Sequence, residues 1–368
     1  MTVLKLKLIS TMKIPFVKYT SYGNNFIIVN EIRGSIIPEQ QLAVCAARVT
    51  NGCFGVGADS LIIIQQCNKS VLEKINQHKQ YWAVTPDFLN ADYIFRMFEP
   101  NGDEALNCGN GLLALSNYFF HNTHQNKINI ITEIPSSTPC IRTIGTDDKN
   151  KFHWVNIGHH KRVQDKLTIP EIRKPISKSI DRIEDIKIDF RYDKFQFLTL
   201  SSVNISGYLL STGEPHFIIF TDTIFEDQSK GDMLFKDSDP KSNIDVGLWF
   251  VNYIGTYLNK QYAHYFPQGI NVNFVKIIDA ENGIIKHRCF ERGINKETMA
   301  CGTGATAVAA LTLSLNLTSA KTIKLLPHRC RCYNSDAEIH IEKQGEDYFL
   351  HGQPYPLCKG EFIFNSDE

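Results

Sequence analysis

A nine-residue phrase occurs twice in this chain and limits what it can fold into more than any other feature. Residues 107–115 read NCGNGLLAL and residues 300–308 read ACGTGATAV: a cysteine, Gly-x-Gly, then an apolar run without charge. The glycines read as a turn handing over to a helix, which places Cys108 and Cys301 each at a helix start. Free N–H groups and the positive end of the helix dipole attract an anion there, and they lower the pKa of a thiol from its free value of about 8.5. The helix expected over 108–121 is apolar around most of its circumference and the one over 301–315 all round, and a helix without a polar face is a buried one. The fold class that follows is α/β (α+β), with two pseudo-symmetric domains, each made of strands wrapped around a central helix.

Composition narrows the partners. A chain of 368 residues predicts two or three domains with ample buried cores. Lys+Arg and Asp+Glu both total 39, so no net field is available to hold nucleic acid or an anionic membrane, and a small molecule is the expected partner. A homodimer stays open. The longest uncharged apolar stretches fall well short of the roughly 20 residues that span a bilayer. The first residues, MTVLKLKLISTMKIPFVKY, interleave Lys5, Lys7 and Lys13 with apolar residues, unlike a signal peptide, so cytoplasmic residence is expected. Ten cysteines are scattered along the chain and are read as reduced thiols. Cys330 and Cys332 beside His328 form the one tight group; without a second ligand cluster of matching spacing no metal is assigned there.

Along the chain, FVKYTSYGNNFIIVN (16–30) reads as a hairpin turning at Gly23-Asn24, and 38–50 as a helix stopped by Asn51-Gly52. A turn followed by a buried strand is read over 56–64, then a polar excursion over 67–90. DYIFRMFEP (92–100) alternates as a strand, and NGDE leads into the first cysteine helix. Residues 160–206 mix Lys, Asp, Ile and Pro without clear period and read as a peripheral insertion carrying short strands. A glycine-containing turn and a strand over 211–220, a helix at 245–261 and strands at 269–277 and 284–293 follow. The order strand, acidic turn, cysteine helix then recurs as HRCFERG…ETMACGTG, for which internal duplication is the simplest explanation. Strand GEFIFN (360–365) returns to complete the first domain. The expected boundaries are 13–135 plus 357–368 for the domain carrying Cys108, and 136–356 for the domain carrying Cys301, with the active site in the cleft between them.

Two matched thiols suit one reaction in particular. One thiolate removes a proton from a carbon acid on one face and the other thiol delivers a proton to the opposite face, which inverts the stereocentre. The difficulty is to acidify a carbon next to a carboxylate without an electron-sink cofactor, and converging helix N–H groups meet that need.

These residues resemble the diaminopimelate epimerase family. The landmarks are YGNNF (22–26), GVGAD (55–59), NGDEALNCGNG (101–111), GEPH (213–216), NVNF (271–274), FERG (290–293) and ACGTGA (300–305), in the family's order. The resemblance implies a cofactor-independent amino-acid racemase or epimerase, an isomerase with Cys108 and Cys301 as the proton-transfer pair and His216 and Glu291 as polar groups near the thiols. It places Asn24 near the reacting centre. It assigns N–H groups of Gly109, Asn110, Gly302 and Thr303 to the α-carboxylate, and Asn271 and Arg292 to the distal end of the substrate.

Departures from the family bear on the substrate. Glu214 precedes Pro215-His216 where the family usually has asparagine, and Glu99 stands where another asparagine is usual. Two carboxylates would repel a distal carboxylate and favour a distal cation, as in histidine, arginine or lysine. Arg292 counts the other way, since it could neutralise one glutamate and keep a diacid acceptable. Ser60 also replaces a larger polar residue. True diaminopimelate epimerase activity remains one alternative, and a non-catalytic amino-acid binder or redox sensor another. A reversible Cys108–Cys301 disulfide would be an inactive state.

Overall fold

The computed structural model describes residues 11–88, 90–147, 152–190, 201–225, 228–236 and 245–365. The chain divides into two compact units, one running to Val155 and resuming at Gln353, the other Asn156–Gly352. Strands β1 (Thr11–Ser21) and β2 (Asn24–Glu31) form the first hairpin. Its turn is Tyr22-Gly23, one residue earlier than the sequence suggests, with both residues at positive φ (52° and 87°), as a tight hairpin turn requires. After α1 (Leu42–Val49), β3 (Ser60–Gln66) lies parallel to β2. Helix α2 (Lys69–Lys79) leads to β4 (Tyr93–Phe98), antiparallel to β3, and to short β5 (Glu104–Ala105). Helix α3 (Gly109–Thr123) follows, then β6 (Lys127–Thr132) parallel to β4, and antiparallel β7 (Cys140–Asp147) and β8 (Phe152–Gly158).

The second unit repeats this. Strands β9 (Lys174–Pro175), β10 (Asp181–Asp189) and β11 (Ser202–Ser211) pair in succession, and β12 (Pro215–Phe220) is antiparallel to β11. Helices α4 (Gln228–Met233) and α5 (Val246–Gln261) precede β13 (Asn271–Asp279), parallel to β12. Strand β14 (Ile284–Glu291) is antiparallel to β13 and carries short β15 (Lys296–Glu297). Helix α6 (Gly302–Ser314) leads to β16 (Thr322–Pro327), parallel to β14. Helix α7 (His328–Arg331) and antiparallel β17 (Ile339–Gln344) and β18 (Asp347–Gly352) end the unit. Strand β19 (Tyr355–Asn365) then pairs along β1 within the first unit.

Strand directions through β1-β2-β3-β4-β6-β7-β8 match those through β11-β12-β13-β14-β16-β17-β18 step for step, so the duplication holds at the level of topology. One further strand flanks each series: β19 on β1, and β10 on β11. The described part of the 160–206 segment is therefore no peripheral insertion. It supplies in the second copy the strand that the C-terminal stretch supplies in the first, and Ile183, Ile186, Ile188, Val203 and Ile205 enter the main core of that unit.

The 67–90 excursion is likewise structured. Asn68 caps α2 by accepting from Val71 N, and Leu72, Ile75 and Trp82 form a small core with Ile94, Ile131 and Ile134. The boundaries move with these pairings. The first unit runs to Val155 and not to 135, because β7 and β8 extend the β6 edge, and it resumes at 353 and not 357, because β19 already pairs from Tyr355.

Within each unit the cysteine helix is central. Residues Gly109–Phe119 of α3 are buried, and α3 packs on β1, β2, β7 and β19. Nearly all of α6 through Thr312 is buried against β11, β12, β13, β17 and β18. Those strands come from both ends of the strand order, so each sheet curls around its helix. Among the described residues no helix is long and apolar enough to cross a membrane.

Candidate active site

In the first unit Cys108 is the N-cap of α3, with extended backbone (φ −148°, ψ 114°), and is half-buried. The N–H groups of Gly109 and Asn110 belong to the first helical turn, where no intrahelical carbonyl is in reach. Asn110 is buried and donates through Nδ2 to Asn24 Oδ1 at 2.6 Å, which brings two of the expected substrate residues together beside the thiol turn. Glu99 follows β4 and heads a tight turn in which its N–H donates to Asp103 O (2.8 Å) and Gly102 N–H donates back to Glu99 O (2.9 Å). Burial, with Asp59 and Asp103 adding repulsion, raises the Glu99 carboxyl to about 7. Near neutrality it is therefore about half protonated.

In the second unit Cys301 is the buried N-cap of α6, and its Sγ accepts from Gly304 N at 3.3 Å. Thr303 Oγ1 lies 3.4 Å from the same sulfur, and the fully buried Cys289 thiol makes a further hydrogen bond with it. Burial first, then its contact with Cys301, pushes Cys289 well above the ordinary thiol range, and its Sγ donates to Phe290 O at 3.7 Å. Thr212 Oγ1 donates to Thr303 O (2.8 Å) and Thr306 Oγ1 to Gly302 O (2.9 Å), pinning the turn. His216 is fully buried at the start of β12, in register with Asn271 of β13. Asn271 Oδ1 accepts from Arg292 N at 2.8 Å, and Glu291 accepts from Thr298 Oγ1.

Arg292 does neutralise a glutamate. Its Nε and Nη2 both donate to Glu214 Oε2 (2.8 and 2.5 Å), and Nη1 donates to Gln268 O (3.1 Å). The two-carboxylate argument drawn from the sequence thus loses one of its members. Glu214 is charge-matched, and only Glu99 stands without a basic partner among the groups that shift it.

The duplication reaches the supporting residues, which sequence reasoning missed. Arg96 of β4 donates a fork to Glu104 of β5 (2.6 and 2.7 Å), and Arg288 of β14 donates the same fork to Glu297 of β15 (2.7 and 2.8 Å). Both guanidinium groups are fully buried. Each fork glutamate stands four residues before its cysteine, as EALNC and ETMAC, a signal visible in the sequence. Each fork arginine is also followed three residues later by a glutamate, so Glu99 occupies in the first copy the place of Glu291 in the second. Arg288 passes so close under α5 that a side chain at Gly247 would lie 1.9 Å from its Nη1.

A pair of histidines near Cys301 has a measurable signature. Burial holds His216 down to about 3, helped by His287 and Arg292, and holds His287 down to about 4. In the unfolded chain both titrate near pH 6.5. The folded pKa lies below the unfolded one, so the neutral form stabilises the fold above pH 6.5, and this contribution is lost as pH falls toward 4. His287→Gln is expected to flatten the pH dependence of unfolding free energy by about 1.4 kcal/mol per pH unit between about pH 6 and pH 4.5. Urea titrations across that range check it; an unchanged slope would mean that His287 is charged in the native protein.

Two other features lie apart from these residues. Cys330 is buried and Cys332 exposed, with Cys332 Sγ donating to His328 O at 3.4 Å. A surface cavity of about 560 Å³ in the first unit, lined by Ala43, Arg48, Phe54 and Phe362 among others, includes none of the residues named for the chemistry.

No protein-family model matches the chain. It is similar to curated diaminopimelate epimerases along nearly its whole length. It is 23% identical over 348 residues to that of Methanothrix thermoacetophila, covering 95% of each chain, and 26% identical over 310 residues to that of Archaeoglobus fulgidus, covering 84% of this chain and 85% of the relative. Among solved structures it resembles a hydroxyproline epimerase from Agrobacterium vitis with TM-score 0.56 and 9% identity, covering 96% of this chain and 94% of the other, a likeness of fold. With the family's motifs carried on this duplicated fold, the chain is similar to the diaminopimelate epimerases over nearly its whole length and is an isomerase.

Proposed function

We propose that the protein is a PLP-independent amino-acid racemase or epimerase that inverts an α-carbon by two-base proton transfer, with Cys108 and Cys301 exchanging the roles of base and acid between directions. The observation that carries this reading is the repetition of one construction: a cysteine as N-cap of a buried helix, a Gly-x-Gly first turn, and a buried Arg–Glu fork ending four residues upstream. First-turn N–H groups of Gly109, Asn110, Gly302 and Thr303 would receive the α-carboxylate, where negative charge grows as the α-proton leaves. Glu291 and His216 would set the hydrogen-bonding around the second thiol. Free thiols suit a reducing compartment, and we place the enzyme in the cytoplasm on that ground.

The substrate is read as an amino acid whose side chain ends in a cation, such as histidine, arginine or lysine. Arg292 gives three of its five N–H groups to Glu214 and Gln268 and its charge is matched by Glu214, which makes it a weaker clamp for a distal carboxylate, and Glu99 adds an acidic group on the first unit. A second reading is diaminopimelate itself, favoured by the names of the full-length relatives. Deuterium wash-in at the α-carbon from D2O, run over diaminopimelate, histidine, arginine, lysine and glutamate, decides between them. Exchange is expected with a basic amino acid. Exchange with diaminopimelate alone would overturn the cationic reading, and exchange with none would favour a binding or redox-sensing protein.

A further inference from the structure

We propose that Asn273 is a positioning residue for this reaction: with His287 behind it, its side-chain amide holds His216 as the Nε2–H tautomer and presents that N–H as a neutral donor beside the Cys301 turn. The inference rests on the reading of His216 and Cys301 as parts of the reacting site, although its direct readout does not.

The argument starts from the strand order. Asn273 lies on β13, between β12, which carries His216, and β14, which carries His287. Its Nδ2 lies 3.5 Å from the carbonyl oxygen of Phe217, which can only accept, so the nitrogen of the amide faces β12 and the oxygen faces β14. That nitrogen is 3.2 Å from His216 Nδ1 and must donate to it. Nδ1 is then the bare nitrogen, and the ring proton sits on Nε2. The amide oxygen is 2.9 Å from His287 Nε2, which donates and is protonated in turn. Remove His287 and the oxygen loses its donor in a dry interior, so the amide is free to turn over and reverse the tautomer at His216.

Two observations bear on where this device acts. His216 Nε2 has no hydrogen-bond partner among the described residues, although the side chain is wholly buried. A buried donor left unpaired is costly, and it marks where an acceptor is expected to arrive. In addition, a Cβ added at Gly304 would lie 2.5 Å from Asn273 Oδ1 and 3.2 Å from Cys301 Sγ, so amide and thiol border one point on the first turn of α6. Burial keeps both rings neutral through the physiological range, so the donor does not switch off as pH changes.

The test uses the full chain labelled with 15N-histidine. Long-range 1H–15N correlation spectra, assigned with H216Q, are expected to show His216 with a protonated Nε2 and a bare Nδ1. In N273D an isosteric carboxylate offers only acceptors, so His216 is expected to switch to Nδ1–H, while kcat for α-proton exchange falls by about 10- to 100-fold with KM nearly unchanged. H287L is expected to show a smaller loss, and H287Q, which returns an N–H to Asn273 Oδ1, to recover most of it. A wild-type protein with Nδ1–H at His216, or a folded N273D with wild-type kcat and tautomer, overturns the proposal. Should N273D fail to fold by circular dichroism, the wild-type tautomer and the H287L/H287Q pair still decide it. The expected tautomer in a protein that exchanges no amino acid would overturn the reaction, and not the amide's hold on His216.

Discussion

Cys108→Ala and Cys301→Ala are each expected to lower racemisation by between about a hundredfold and ten-thousandfold, the range associated with losing one general acid or base. Inversion needs both groups, since a proton taken from one face must be replaced on the other, so neither variant is rescued by the remaining thiol. The two variants should also differ from inactive, unfolded protein in an instructive way. A single remaining thiolate can still remove and return the proton on its own face, so each variant is expected to exchange the α-proton of one enantiomer with D2O without inverting it, and the two variants should favour opposite enantiomers. Chiral chromatography with mass spectrometry measures inversion and exchange together. Wild-type racemisation in either variant would remove the two-base mechanism. The alanine changes are small in volume, so loss of fold is not the expected cause.

The largest effect on stability is expected at Arg96. Its guanidinium is fully buried and donates to Glu104 at 2.6 and 2.7 Å and to Glu39 at 2.7 Å twice, with both carboxylates almost wholly enclosed. A buried ion pair adds little net stability over well-packed apolar groups, because desolvation offsets most of the attraction. Removing one partner is different: it leaves charge in the interior uncompensated, at a cost of about 3–5 kcal/mol. Arg96→Leu strands two carboxylates and should lie at the top of that range or above it, read as a fall in unfolding free energy from urea titration. Arg96→Leu combined with Glu39→Leu and Glu104→Leu should recover much of the loss. A change below about 1 kcal/mol in the single variant would show that the carboxylates are hydrated or protonated in the native unit.

How far the fold could be read from the sequence depended on how local its causes are. The apolar circumference of α3 and α6 and the apolar runs of β4 and β13 were visible because each element's neighbours along the chain carry the pattern, although β4, read as alternating, is buried on both faces. Strand β10 was not legible, and its register explains why: a shift between Ile183 and Ile186, with Asp185 at φ 56°, breaks the two-residue period that marks a strand. Helix α2 was hidden for another reason, since it buries only Leu72 and Ile75 and otherwise shows water a polar face. The candidate site divided in the same way. Cys108, Cys301 and their glycines stand in contiguous phrases, whereas Asn273 and His287 gain meaning only from lying side by side on β13 and β14.

By itself the sequence determined that this chain holds two thiols at the starts of two buried helices in two related halves, because a turn, a helix start and an apolar helix are written in consecutive residues. Only the tertiary structure decided what surrounds them. It put Glu214 on Arg292, 78 residues away, raised the proton affinity of Glu99 by burying it near Asp59 and Asp103, and set one amide between two histidines. Those features depend on strand register and on burial. Packing across a whole sheet sets both, and no short stretch of chain records them.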